Sequence, residues 1–193
     1  MLVFNMKLSG SYQINLEKQK VWEALNDPEI LKKTIPGCEK FKKNSDTEFS
    51  ATATNKIGPF NATFTGNIEL KDLNPPHSYK ISGSGNSPVG FASGEAEVKL
   101  EDENGGTKLI YTVKANVGGK IAQVGSRLID MTAKKMADIF FSKFSELISN
   151  RSDMLKTETA PDARVPREKK PFNKILIYSS LIIIIATIIY SIS

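Results

Sequence analysis

Only two residues in this sequence carry the side chains on which most hydrolytic, redox and metal chemistry depends: one cysteine, Cys38, and one histidine, His77. A lone cysteine has no partner for an internal disulfide and no second thiol to resolve an oxidised one. A lone histidine cannot build a His-rich metal site or a two-histidine relay. Cys38, after Pro36-Gly37, reads as a packed residue at a strand start, with a redox thiol as the sharper alternative. His77, after Pro75-Pro76, reads as a solvated turn residue rather than a general base. Gly118-Gly119-Lys120 lacks the first glycine and the Ser/Thr of a phosphate-binding loop and reads as the flexible entry to a helix. The expectation is a chain with no catalytic residues, no metal and no resident cofactor beyond a possible bound lipid.

The charge pattern narrows the partners. The chain has 193 residues, 40% hydrophobic, with a net charge of +5. That length and composition suit one globular core with an appendage. Residues 1–150 hold 19 Lys/Arg against 17 Asp/Glu, so the body is nearly neutral, and no strand interleaves basic residues with aromatics. Nucleic acid is therefore not an expected partner. Glu95, Glu97, Glu101, Asp102 and Glu103 form an acidic run whose default reading is a solvated face, and whose alternative is a docking patch for a basic partner.

What would position a binding site is a run of strands followed by one long helix. From Met6 to Ile14 apolar or small residues alternate with polar ones, the period of a half-buried strand. Leu16 to Leu25 places Val21, Trp22 and Leu25 at helical spacing, and Asn26-Asp27-Pro28 ends that helix and caps a short second one through Leu31. A weaker strand covers Glu39 to Lys43. Alternation returns over Phe49–Ile57, Phe60–Leu70, Tyr79–Gly85, Ala92–Leu100 and Leu109–Val117, separated by Gly58-Pro59, Asn74-Pro75-Pro76, Asn86-Ser87-Pro88 and Asn104-Gly105-Gly106. These signals predict a meander of antiparallel strands with one wet face. The last element, Ile121 to about Ser149, is predicted as one amphipathic helix whose apolar face holds Ile121, Gly125, Leu128, Ile129, Thr132, Met136, Ile139, Phe140 and Leu147. Asp138 falls on its polar face. Phe141 and Met131 point away from the gripped side, and Lys143 snorkels.

The predicted fold class is α+β, a helix-grip fold in which a curved antiparallel sheet of six to seven strands wraps a long C-terminal helix. The inward strand positions are small: Gly10, Ala51, Ala53, Ala62, Gly66, Gly83, Gly85, Ala92, Gly94, Ala96 and Ala115. Small residues facing a single helix either bring it close or leave a void, and the expectation is an apolar cavity of the kind that takes a lipophilic ligand. Its candidate walls are Phe60, Phe64, Ile68, Tyr79, Ile81, Phe91, Ala96, Tyr111, Leu128, Thr132, Met136 and Phe140. Gly66 and Ala96 are the positions at which a larger side chain is expected to fill it.

The C-terminal residues predict where the body resides. Ile175 to Ile192 is eighteen residues without a charge, about 27 Å as a helix, enough to span a thin hydrocarbon core. Tyr178 and Tyr190 lie near its ends, and the basic cluster Arg167, Lys169, Lys170 and Lys174 precedes it, which by the positive-inside rule keeps the body cytoplasmic. No signal peptide is legible at the N-terminus. The expected organisation is a helix-grip ligand-binding domain at 1–150, a flexible basic linker at 151–174 carrying Pro161, Pro166 and Pro171, and a tail anchor at 175–193. The localisation expected from it is the cell membrane, by a single C-terminal pass.

PGCEKF (Pro36 to Phe41), KIGPFNATFTGNIELKDLNPPHSYKISGSG (Lys56 to Gly85), GFASGEAEVKL (Gly90 to Leu100) and VGGKIAQVGSRLIDMTAKKMADIFFSKF (Val117 to Phe144) resemble, in order and spacing, the carbon monoxide dehydrogenase CoxG family within the START and Bet v 1-like helix-grip group. The resemblance covers roughly residues 6–149. It implies an accessory protein, often membrane-anchored, of a molybdenum-containing oxidoreductase. Because such a hydroxylase must pass electrons onward, a respiratory quinone is a ligand that would make the tether useful. The alternatives are a general carrier of hydrophobic ligands, an anchor with a solid core, and an enzyme on a hydrophobic substrate, which the scarcity of His and Cys disfavours.

Overall fold

The computed structural model describes residues 2–158; the predicted basic cluster at 167–174 and the predicted anchor at 175–193 lie outside the described residues. Among the described residues no helix is long and apolar enough to cross a membrane. The order is β1 (Val3–Ile14), α1 (Lys18–Leu25), α2 (Pro28–Thr34), β2 (Cys38–Lys43), β3 (Glu48–Ile57), β4 (Phe60–Asn74), β5 (Ser78–Ser87), β6 (Gly90–Glu103), β7 (Gly106–Gly119), a 3-10 helix (Lys120–Val124) and α3 (Ser126–Glu158).

Seven strands form one antiparallel sheet in the order β1-β7-β6-β5-β4-β3-β2. The predicted alternation holds: Ile14, Phe49, Ala62, Leu70, Tyr79, Val98, Leu100, Leu109, Tyr111 and Val117 are buried on the face toward α3. At the start of α2 the Asp27 carboxylate accepts from the Glu29 and Ile30 amides, at 2.9 and 3.4 Å, while Pro28 occupies the first turn. Arg151, late in α3, reaches the same carboxylate at 3.3 Å and ties the two helices together.

The sheet coils tightly, and two glycines permit it. A Cβ at Gly66 would run into the Ser84 carbonyl oxygen, and one at Gly94 would stand 2.5 Å from the Lys114 carbonyl. Gly66 therefore cannot take a cavity-filling side chain as the alternation suggested, because its missing methyl is where the neighbouring backbone passes. Gly83 differs, since the nearest atom to its Cβ position is 3.4 Å away. Gly94→Ala is expected to destabilise by about 1–3 kcal/mol through overpacking, and Gly83→Ala to change stability by less than about 1 kcal/mol. Chemical denaturation of the two variants checks this, and equal losses would reject the close-approach account.

The predicted single helix from Ile121 divides into two. Residues 120–124 form a 3-10 turn, Gly125 breaks it at φ 90°, and α3 begins at Ser126. A 3-10 turn has 3.0 residues rather than 3.6, so a helical phase anchored on Ile121 and Gly125 does not carry past the break. The buried face of α3 is consequently one residue further on: Ile129, Phe141, Phe144 and Ile148 are buried. Phe141, expected to point away, stacks on Tyr12 with ring centroids 4.2 Å apart. Asp138, expected on the wet face, accepts a hydrogen bond from the Tyr12 hydroxyl. Met131 is 62% exposed and Lys143 is exposed. The helix also runs nine residues beyond Ser149, to Glu158, into the stretch read as linker; residues 150–158 contain no proline or glycine to stop it.

Candidate ligand site between the sheet and the helix

Two apolar clusters hold α3 to the sheet, at opposite ends of the helix. The larger joins Trp22, Leu25 and Ile30 of the short helices to Tyr79, Val98, Leu100, Leu109 and Tyr111 of the sheet and to Phe141, Phe144 and Ile148 of α3. Trp22 meets Tyr79 edge to face, with centroids 5.2 Å apart. The smaller joins Val117, Ile121 and Ile129, with Met6, Phe60, Phe64 and Ala92 packed around them. Between the clusters the rows Ile68, Gly83, Gly94, Ala115 and Ile81, Ala96, Val113 run in register across β4, β5, β6 and β7, and all of these positions are only half-buried. Strand residues this small, facing a helix fastened at both ends, do not reach across the gap.

The sequence-predicted wall residues distribute around that gap unevenly. Ala96 lies in it. Ile68, Ile81 and Phe140 edge the larger cluster, and Phe60 and Phe64 edge the smaller. Tyr79 and Tyr111 are 5% and 7% exposed, inside the larger cluster. Leu128, Thr132 and Met136 are half-buried along one flank of α3, with Leu128 over Gly58. The Thr132 hydroxyl donates to the Leu128 carbonyl at 2.8 Å, so its proton is spent on its own helix. Phe91 is a correction: it pairs in register with Gly118 and Asn86 on the face away from α3, its ring lying against the space a Gly118 Cβ would fill. Its neighbour Ala92 carries the inward parity, and successive strand residues cannot both face the helix.

The polar feature that sequence reading missed is at the β1 side, where Tyr12, Tyr111 and Asp138 come together. Burial, then the hydrogen bond to Asp138, hold the Tyr12 phenol well above its usual range; burial and the Asp138 charge push Tyr111 up as well, and burial does the same to Tyr79. All three phenols stay neutral at physiological pH, as hydrogen-bond donors and not bases. Tyr12 was visible in the strand alternation, but the helix phase placed Asp138 on the wrong side. Burial also raises the Cys38 thiol, which donates to the Lys40 carbonyl at 3.4 Å. The His77 backbone carbonyl accepts from the Leu100 amide at 2.7 Å. No group of His, Cys, Asp and Glu among the described residues could hold a metal ion. The arrangement offers apolar walls and neutral hydroxyls, the chemistry of holding a ligand rather than of transforming one.

Known structures show the same frame. A conserved protein from Geobacillus kaustophilus is 31% identical, with 75% of this chain and 96% of that chain covered and a TM-score of 0.72. Protein Ms6760 from Mycobacterium smegmatis, 16% identical over 75% of this chain and 92% of that one, has a TM-score of 0.57. TTHA0849 from Thermus thermophilus, 12% identical over 76% and 99%, reaches 0.60. The latter two show the fold alone, that of the helix-grip proteins. No curated protein matches the sequence. The signature of the carbon monoxide dehydrogenase G-type subunit (CoxG) matches residues 10–149, the stretch that runs from the Tyr12 strand through the gap to the buried end of α3. By that match over most of its length, the chain belongs to the carbon monoxide dehydrogenase CoxG family.

Proposed function

We propose that this protein is a membrane-tethered, non-catalytic accessory of a molybdenum hydroxylase of the carbon monoxide dehydrogenase type. It holds a lipophilic molecule, a respiratory quinone or another lipid, between the sheet and α3, and it recruits or couples the hydroxylase to the cytoplasmic face of the membrane. Family membership supports association with the oxidoreductase. The observation that carries ligand binding is the divided core, in which half-buried Ile81, Ala96, Val113 and Ala115 separate two apolar clusters. Leaving such surface facing water costs about 25 cal/mol per Å², which a lipid chain between the clusters would offset. A quinone there would take two electrons and two protons to become the quinol, and the neutral phenols beside it offer hydrogen bonds to its oxygens.

Native mass spectrometry of the full chain, taken from membranes into detergent, tests this. The expected result is one lipophilic molecule per chain, lost in Ala96→Phe and in Gly85→Leu. A Cβ at Gly85 meets nothing closer than Phe64 at 3.7 Å, so a side chain can enter there. Both variants are expected to remain folded. A quinone supports coupling, another lipid supports a general carrier, and an empty chain leaves the anchor reading.

A further inference from the structure

The face of the sheet turned away from α3 carries a groove of about 1210 Å³ that crosses the strands at the level of Gly83 and Gly94. Its two rims are register rows. One is uncharged and hydrogen-bonding throughout: Asn5, Asn116, Ser93, Ser84 and Asn67 stand side by side on β1, β7, β6, β5 and β4. The other is charged and sorted by sign: Lys7 opposite Lys114 at the β1–β7 end, Glu69 opposite Glu48 at the β4–β3 end, with Glu95 and Ser82 between. Like charges directly opposite each other destabilise a sheet, and here that occurs at both ends. Lys71 offsets part of it at Glu69, 3.0 Å away. Lys7, Lys114, Glu95 and Glu48 have no ion-pair partner within 4.0 Å among the described residues. The interior site explains none of this, because these side chains have the opposite parity.

We propose that this groove docks an extended polypeptide segment of the partner hydroxylase, acidic at the Lys7–Lys114 end and basic at the Glu48–Glu69 end. The inference rests on the reading that such an enzyme is the partner. The two poles lie four strand spacings apart, about 19 Å, which an extended chain spans in about six residues. The row of short Asn and Ser side chains offers both donors and acceptors along that path, as a backbone lying across the strands requires. The sorted charges fix the direction of the segment and favour encounter over tight affinity.

The test uses the full-length chain in detergent and the purified hydroxylase, with binding followed at low and high salt. Two charge reversals are made, Lys7→Glu with Lys114→Glu, and Glu48→Lys with Glu69→Lys. All four residues are exposed, and circular dichroism checks the fold. Each reversal is expected to weaken binding about tenfold or more, and wild-type binding is expected to weaken as salt rises. Peptide arrays of the hydroxylase probed with the Lys7→Glu, Lys114→Glu variant should then shift from an acid-to-base segment to one in which the acidic end is replaced by lysine. Wild-type affinity in both reversals overturns the groove while leaving the recruitment reading intact. A wild-type chain that does not bind the hydroxylase overturns both. Binding of the wild type to anionic vesicles, abolished by the lysine reversal, would assign the groove to a membrane surface and reject a peptide.

Discussion

Deleting residues 175–193 is expected to move the protein from almost wholly membrane-bound to almost wholly soluble, with no change in the melting temperature of the body. All strands and α3 lie before that segment, up to Glu158, and both apolar clusters are complete without it. A spanning helix is effectively irreversible in its insertion, whereas a folded body with a scattered surface has no comparable hold on lipid. Membrane fractionation in high salt, followed by a thermal melt of the released chain, checks the prediction. A truncated chain that still sediments with membranes would show that the body itself carries an insertion surface, for which exposed Leu2, Val3 and Met131 are the first residues to change.

The second large effect is at Phe144. This ring has no exposed surface, stacks 5.7 Å from Phe140 and belongs to the cluster that binds α3 to the short helices and the sheet. Phe144→Ala is expected to cost about 3–5 kcal/mol, a large share of a domain stability of about 5–15 kcal/mol. Met136→Ala, on the half-buried flank of the same helix, is expected to cost far less while weakening ligand retention. Denaturant titration of both variants, with lipid content measured alongside, separates holding the helix from lining the site. Equal losses of stability would mean that the interior is a solid core and that the gap between the clusters does not persist in solution.

These contrasts mark where sequence reading succeeded and where it stopped. Strand positions were legible because a strand's side chains alternate strictly, so Leu109, Tyr111 and Val117 could be assigned to the buried face from polar neighbours alone. Phe91 was misplaced by disregarding that same rule for an aromatic residue. The helix was legible as an element and illegible in phase, because a single 3-10 turn and the Gly125 break separate Ile121 from α3. A rotation of one residue then exchanged the roles of Phe141 and Asp138 with those of Leu128 and Met136.

The sequence by itself determined that residues 6–149 form a sheet followed by a gripping helix, that thiol and histidine chemistry lack their residues, and that an uncharged stretch of eighteen residues ends the chain. Those conclusions rest on periodicity and residue type, which are local properties. Tertiary structure alone decided that the core divides in two, that Gly66 and Gly94 accommodate backbone while Gly83 leaves room, and that charges on separate strands sort into a bipolar row across the outer face. Each depends on strand register and on how far the helix stands from the sheet. Register is set by pairing between segments distant in the chain, and spacing along one strand carries no record of it.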